Sequence, residues 1–157
     1  MRTDKPKAEK KLIGRRELVS FPDLDIEEIE AKVDTGAYTS AIHCSDIHEE
    51  TRPDGTTVIC LDLLDPSHPQ YNHKKLWFAA YELREIKSSI GEKQERYVIK
   101  TKIKLYDEVI EAEFSLSDRS DMKYPVLIGR KLLKGRFIVD VSRKNVARKY
   151  KLKQKQK

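Results

Sequence analysis

Between Ile99 and Leu116 the chain alternates apolar and charged residues. Ile99, Thr101, Ile103 and Leu105 interleave with Lys100, Lys102 and Lys104, and beyond a turn at Asp107 the residues Ile110, Ala112, Phe114 and Leu116 repeat the pattern. A period of two puts every apolar side chain on one face of an extended strand, whereas a helix would scatter them around its circumference. This segment therefore predicts a hairpin with one face on a core and one in water.

Most of the remaining chain reads the same way. Leu12-Ile13 and Leu18-Val19 flank a polar Gly14-Arg15-Arg16 and predict a first strand or hairpin. Ile29, Ala31 and Val33 alternate with charged residues, although Ile26-Glu27-Glu28-Ile29 also fits a helix. Arg52-Pro53-Asp54-Gly55-Thr56 is a turn signal ahead of a strand over Val58 to Leu63. Asp65 to Gln70 reads as a loop, and Leu76-Trp77-Phe78-Ala79-Ala80-Tyr81, the most apolar run, as a core strand. Arg130 to Lys134 predicts one short helix stopped by Gly135, after which Phe137 to Val141 would close the sheet. The expected fold is all-β, a small closed or nearly closed β-barrel with one short helix and no internal repeat.

Two apolar strands end in glycine-bearing turns. Ala31-Lys32-Val33 runs into Asp34-Thr35-Gly36-Ala37, and Val126-Leu127-Ile128 runs into Gly129-Arg130. An Asp that opens a tight turn can have its carboxylate held by nearby backbone N–H groups and the Thr hydroxyl, in position to handle a water molecule. Gly36 permits close approach of a neighbouring chain or substrate. Pro125 suits the first residue of the second strand because it lacks a ladder donor. That strand, packed beside the Asp turn, would shield it from bulk water. Asp-Thr-Gly is also an ordinary turn sequence, so the second segment is what gives the first its weight.

Together these segments resemble the retropepsins, homodimeric aspartic proteases. A nearer resemblance is to a bacterial family of small retropepsin-like proteins, often labelled ATP-dependent zinc proteases and associated with RimK-type ATP-grasp ligases. It is carried by Lys32 to Ala37 with Thr39 to His43, Lys87 to Gly91, Arg96 to Ile99, Leu116 to Arg119 and Met122 to Arg130. Tyr38 stands where that family more often has Arg. The resemblance implies a barrel of the acid-protease type and hydrolysis of a peptide or amide bond, with Asp34, Thr35 and Gly36 catalytic. It further implies substrate contacts from Ala37, Ser88, Ser89, Gly91 and Arg130. A flap over Glu85 to Glu92 would cover the site, with the loop from His68 to His73 as competitor.

Acid–base hydrolysis needs two carboxyls, one to take a proton from water and one to give a proton back. Two carboxyls forced together share a proton and titrate as a pair; the aspartic-protease dyad is the reference case for this behaviour. Asp-Thr-Gly occurs once in the chain. A single copy calls for a two-fold homodimer in which Asp34 faces its symmetry mate. Asp118 and Asp140 are the intrachain alternatives, each more readily explained as a solvent-facing or salt-bridged residue.

The formal charge of +6 is unevenly spread. Residues 1–16 carry seven basic and two acidic groups, residues 143–157 carry eight basic and no acidic groups, and the middle carries 17 basic against 24 acidic. The expected organisation is a basic disordered start over residues 1–10, one domain over residues 11–142 and a basic disordered tail over residues 143–157. The tail could make weak, salt-sensitive contact with nucleic acid. The absence of any apolar run near the ~20 residues of a membrane span, and of an apolar leader after the Lys-rich start, points to the cytoplasm and away from a membrane.

Cys44 and Cys60 are too few for a disulfide framework and are expected as reduced thiols, Cys60 serving as a small hydrophobe. No cofactor is expected. His43, Cys44 and His48, with Glu49, are the weak candidates for zinc, which would make the chain a metallopeptidase, but the His-Glu-x-x-His spacing is absent. His43 has the further reading of a residue that fixes the Asp34 loop. No phosphate-binding Gly-rich loop occurs, so ATP would be used by a ligase partner. A third reading is a non-catalytic module that binds such a ligase.

Overall fold

The computed structural model describes residues 9–87, 90–118 and 123–155. The alternating segments are strands: β1 Lys11–Gly14, β2 Arg16–Phe21, β3 Ile26–Val33, β4 Ser40–Thr51, β5 Thr57–Leu63, β6 Lys75–Phe78, β7 Glu82–Lys87, β8 Lys93–Leu105, β9 Glu108–Ser117, β10 Val126–Ile128 and β11 Phe137–Asp140. Helices α1 Arg130–Leu133 and α2 Val146–Lys155 flank β11. The hairpin of β8 and β9 pairs Ile99 with Phe114 and Ile103 with Ile110, and turns at Tyr106, whose φ of 58° is left-handed.

β10 makes the fold ring-like. It lies parallel to β3 on one side and antiparallel to β4 on the other, so the pairings β10–β3–β2–β8–β9–β4–β10 return to their start. Its three residues are all buried, as expected of a strand with neighbours on both edges. Phe21, Ile42, Ile99, Phe114, Leu116 and Ile128 belong to one buried cluster, with Phe21 edge-on to Phe114 at 5.3 Å between ring centres. Each such side chain contributes roughly 1.5–3 kcal/mol through burial.

One open alternative is resolved and three local expectations change. Ile26 to Ile29 is strand, not helix. The apolar run at Leu76 is an end strand with one neighbour, β5, and Trp77 on it is half exposed rather than core. Phe137–Asp140 does not close the main sheet, because α1 turns the chain aside and β11 pairs in parallel with β1 in a separate two-stranded sheet. Among the described residues there are two α-helices and a short 3-10 turn at Pro22–Leu24, against an expectation of one helix.

The second helix bears on the end of the chain. Gly14 lies against the Arg143 carbonyl so closely that a Cβ there would stand 2.3 Å from the oxygen. The fully buried Glu17 carboxylate accepts from the N–H groups of Gly14 (2.7 Å), Val146 (3.0 Å) and Ala147 (3.0 Å). A carboxylate at a helix start meets unpaired N–H donors and the positive end of the helix dipole. Ordered structure thus continues past residue 142 into α2, where Ala147 is buried.

Candidate active site

β3 delivers the chain to Asp34, and β10 holds it there. The Asp34 N–H donates to the Ile128 carbonyl at 2.9 Å. The loop then closes on itself: the Ala37 N–H donates to the Asp34 carbonyl at 3.2 Å, and the Gly36 N–H to Asp34 Oδ1 at 3.0 Å. This is the turn chemistry expected of Asp followed two residues on by a free N–H. Asp34 and Ala37 are half-buried, while Thr35 and Gly36 are exposed.

Gly129 lies under the loop with no room for a side chain. A Cβ there would stand 2.7 Å from the Tyr38 carbonyl oxygen and 2.9 Å from that of Ala37. Its N–H donates to the Ser40 hydroxyl at 3.0 Å in a buried bond. The first N–H groups of α1, on Arg130 and Lys131, donate to the Ala37 and Tyr38 carbonyls at 2.8 and 3.0 Å. Helix-start donors that would otherwise lack partners are therefore used to fix the loop. The Arg130 guanidinium donates to the Thr35 carbonyl at 3.0 Å and stands 5.8 Å from the centre of the Tyr38 ring. The two sequence segments thus meet through backbone contacts at almost every position.

A hairpin of β7 and β8 contains the predicted flap. Lys87 pairs with Lys93 at its end, and Gly91 at the tip has a φ of +88°. Ser88 and Ser89 lie outside the described residues. At the hairpin's base Arg84 Nη1 stands 2.5 Å from Glu113 Oε2, and the other oxygen of Glu113 is paired with Lys131. The Lys131 ammonium and then the Arg84 guanidinium hold the Glu113 carboxyl below its usual range. One carboxylate therefore links the hairpin to the helix that braces the Asp34 loop.

His43 is buried, with Nε2 against the Asp65 carboxylate and Nδ1 3.8 Å from Asp118 Oδ1. Its N–H donates to the Pro125 carbonyl at 2.7 Å, which joins β4 to the entry of β10. The Ser67 hydroxyl and then His43 keep the Asp65 carboxyl below its ordinary value despite opposing desolvation. Asp140 accepts from Ser142 and pairs with Arg143 at 3.4 Å. Asp118 faces His43, and Asp140 sits in its own turn beside Arg143.

The zinc candidates do not form one cluster. Cys44 is wholly buried, its thiol pKa pushed up by desolvation, and its Sγ contacts the Ile42 carbonyl at 3.6 Å. Glu49 accepts from the Tyr97 hydroxyl at 3.1 Å. Among the described residues, the group of three or more His, Cys, Asp or Glu ligand atoms within 4.8 Å of one another is His48, Glu50 and Cys60. Of the weak candidates His43, Cys44, His48 and Glu49, only His48 belongs to that group. Glu50 is not among the sequence candidates and Cys60 reads there only as a small hydrophobe, yet the turn centred on Asp54 already sets Cys60 opposite His48, as the register does.

A family model described as "Retropepsin-like aspartic endopeptidase RimB" matches residues 12–150. A protein of Shewanella pealeana named "Probable alpha-L-glutamate ligase" is 36% identical over 135 residues, covering 83% of this chain and 28% of the relative. One of the same name from Desulfotalea psychrophila is 36% identical over 131 residues, with the same coverage. The chain thus spans little more than a quarter of the length of these curated relatives. A crystal structure of a Legionella pneumophila protein of unknown function shares the fold, with a TM-score of 0.66 at 23% identity, covering 88% of this chain and 99% of that one. Among the described residues no helix is long and apolar enough to cross a membrane.

Proposed function

Because this chain belongs to the RimB-like family of retropepsin-like aspartic endopeptidases, we propose that it is one half of a homodimeric aspartic endopeptidase, cleaving a peptide or amide bond with water activated between two Asp34 carboxylates. The observation that carries this reading is the Asp34 turn itself. Its backbone is tied to Ile128, its carboxylate is oriented by the Gly36 N–H, and the residue is still half exposed at the end of a strand. One carboxylate per chain needs a second from a symmetry mate. In the pair, the ionised Asp34 takes a proton from water as the oxygen attacks the carbonyl carbon. The protonated Asp34 gives its proton to the carbonyl oxygen, and the tetrahedral intermediate breaks when the leaving nitrogen is protonated.

The circuit of strand pairings fits a closed barrel of the retropepsin type, and the β7–β8 hairpin fits a flap that excludes water from the reacting centre. Arg130 serves the loop and the dimer interface in this reading. The relatives' name, alpha-L-glutamate ligase, suggests the bond: an amide of glutamate made by an ATP-grasp ligase, which would supply any ATP dependence. The protein would act in the cytoplasm, where such a ligase and its ATP are found.

The test replaces Asp34 by Asn, which keeps size and removes the ionisable group. Hydrolysis of glutamyl amide peptides should fall by at least about 10²–10⁴-fold, the contribution of general acid–base catalysis, with the melting temperature unchanged. The active parent should have the mass of two chains in solution. An Asp34→Asn variant as fast as the parent, or an active monomer, would refute the proposal.

A further inference from the structure

We propose that His48, Glu50 and Cys60 form a binding site for a zinc-class divalent ion on the β4–β5 hairpin, separate from the Asp34 loop and independent of the peptidase reading.

Sheet geometry explains why the three converge. His48 and Glu50 are two apart on β4 and share a face, and His48 pairs directly with Cys60 across β5. A register shift between Ser45 and His48, with Asp46 at a φ of 52°, bends the strand there. The ligand atoms lie within 4.8 Å of one another. Zinc bonds of about 2.0–2.3 Å set tetrahedral ligand atoms roughly 3.5 Å apart. His48 and Glu50, whose ligand atoms are 2.9 Å apart, would open slightly around an ion, and both side chains reach solvent and can adjust.

The supporting contacts are those that a metal site requires. His48 Nδ1 is 3.0 Å from the Asp46 carbonyl oxygen and Nε2 is 2.9 Å from Glu50 Oε1, so without an ion both nitrogens face acceptors; an ion that takes the place of the Nε2 proton leaves Nδ1–H holding the ring. Metal-binding histidines are oriented in this way by a bond from the other ring nitrogen. Trp77 Nε1–H donates to Glu50 Oε2 at 3.3 Å and leaves Oε1 toward His48, 2.9 Å from Nε2. Lys75 sits 3.2 Å from Asp46 Oδ2 and 3.4 Å from Asp62 Oδ1, so those two carboxylates already have a cation and Glu50 is the acidic donor.

The donor set decides the metal. A thiolate with imidazole and one carboxylate suits zinc rather than calcium or magnesium, which prefer oxygen. Binding releases the Cys60 proton, and the His48 proton where the ring is charged, so affinity rises with pH. Three protein donors leave a fourth position for water. Along β4 the site lies eight to ten residues beyond Ser40, roughly 25–35 Å of strand contour. An ion there clamps the bent hairpin and does not touch the Asp34 water.

Trp77, the one tryptophan of the chain, stands next to the site as a built-in reporter. Untagged protein, reduced with a phosphine, is titrated with Co²⁺ and then Zn²⁺. The expected result is thiolate-to-cobalt charge-transfer absorption with a change in Trp77 emission, reversed by Zn²⁺. Cys60→Ser abolishes the band, His48→Ala weakens binding by about tenfold or more, and Cys44→Ser and Asp34→Asn retain both signals. Absence of the thiolate band, its survival in Cys60→Ser, or its loss in Cys44→Ser would overturn the assignment.

Discussion

At its Ser40 end, β4 emerges from a loop fixed almost entirely by backbone: carbonyls of Ala37 and Tyr38 take the N–H groups of Arg130 and Lys131, and Gly129 leaves no space for a Cβ. At its far end the same strand bends at Asp46, and what meets there is side chains, His48 with Glu50 and Cys60. Backbone contacts tolerate few residue types, because main-chain atoms cannot rotate away from an added methyl. Side chains that reach solvent at a bend, as His48 and Glu50 do, tolerate many, although Cys60 beneath them is buried. The first end should therefore be rigid and costly to alter, and the second adaptable and cheap to alter in the absence of metal.

The largest expected effect comes from Gly129→Ala. The new methyl meets two backbone oxygens and must displace the loop or the start of α1, at a cost of about 3 kcal/mol by the scale of overpacked sites. Denaturant unfolding measures this. A change below about 1 kcal/mol would mean the loop is as compliant as the distal bend, and the comparison would fail.

This contrast also explains what was legible in the sequence. The Asp34 loop could be read because its constraints fall on single residues: an Asp to accept from Gly36, and a glycine where nothing larger fits. The β8–β9 hairpin was legible from alternation. The His48, Glu50 and Cys60 cluster has no motif, since Cys60 joins it only through register across a turn. Glu17 was unreadable for a similar reason, because its partners at Val146 and Ala147 come from the other end of the chain. The basic composition of that end suggested a solvated tail, and nothing local announced that β1 would pack against its start. An apolar run does not reveal whether its strand has one neighbour or two, so Leu76 to Tyr81 reads as a core strand although Trp77 is half exposed.

A smaller effect is expected at Gly55, in the turn that makes the distal hairpin. Its φ is +86°, yet nothing lies within 4 Å of the Cβ position. Gly55→Ala therefore costs only the left-handed backbone, about 1–2 kcal/mol, and equilibrium unfolding should rank it below Gly129→Ala. The reverse order would show that turn conformation, not backbone contact, limits stability in this sheet.

The smallest effect separates the two ends by acid. Glu113, linking Lys131 and Arg84 near the active loop, and Glu50, beside His48, both have carboxyls held below the ordinary value, Glu113 chiefly by Lys131 and Glu50 chiefly by His48. A depressed carboxyl stabilises the fold above its unfolded pKa, and that contribution is lost as pH falls through the folded one. Glu113 is 13% exposed and works among strands packed on each other, whereas Glu50 is in water and its pairing is screened by salt. Melting temperatures followed from pH 6 downward should fall less steeply below about pH 4.5 in Glu113→Gln than in the parent, at low and high salt alike. In metal-free protein Glu50→Gln should trace the parent curve once salt is added, because solvent already does there what the protein must do at Glu113.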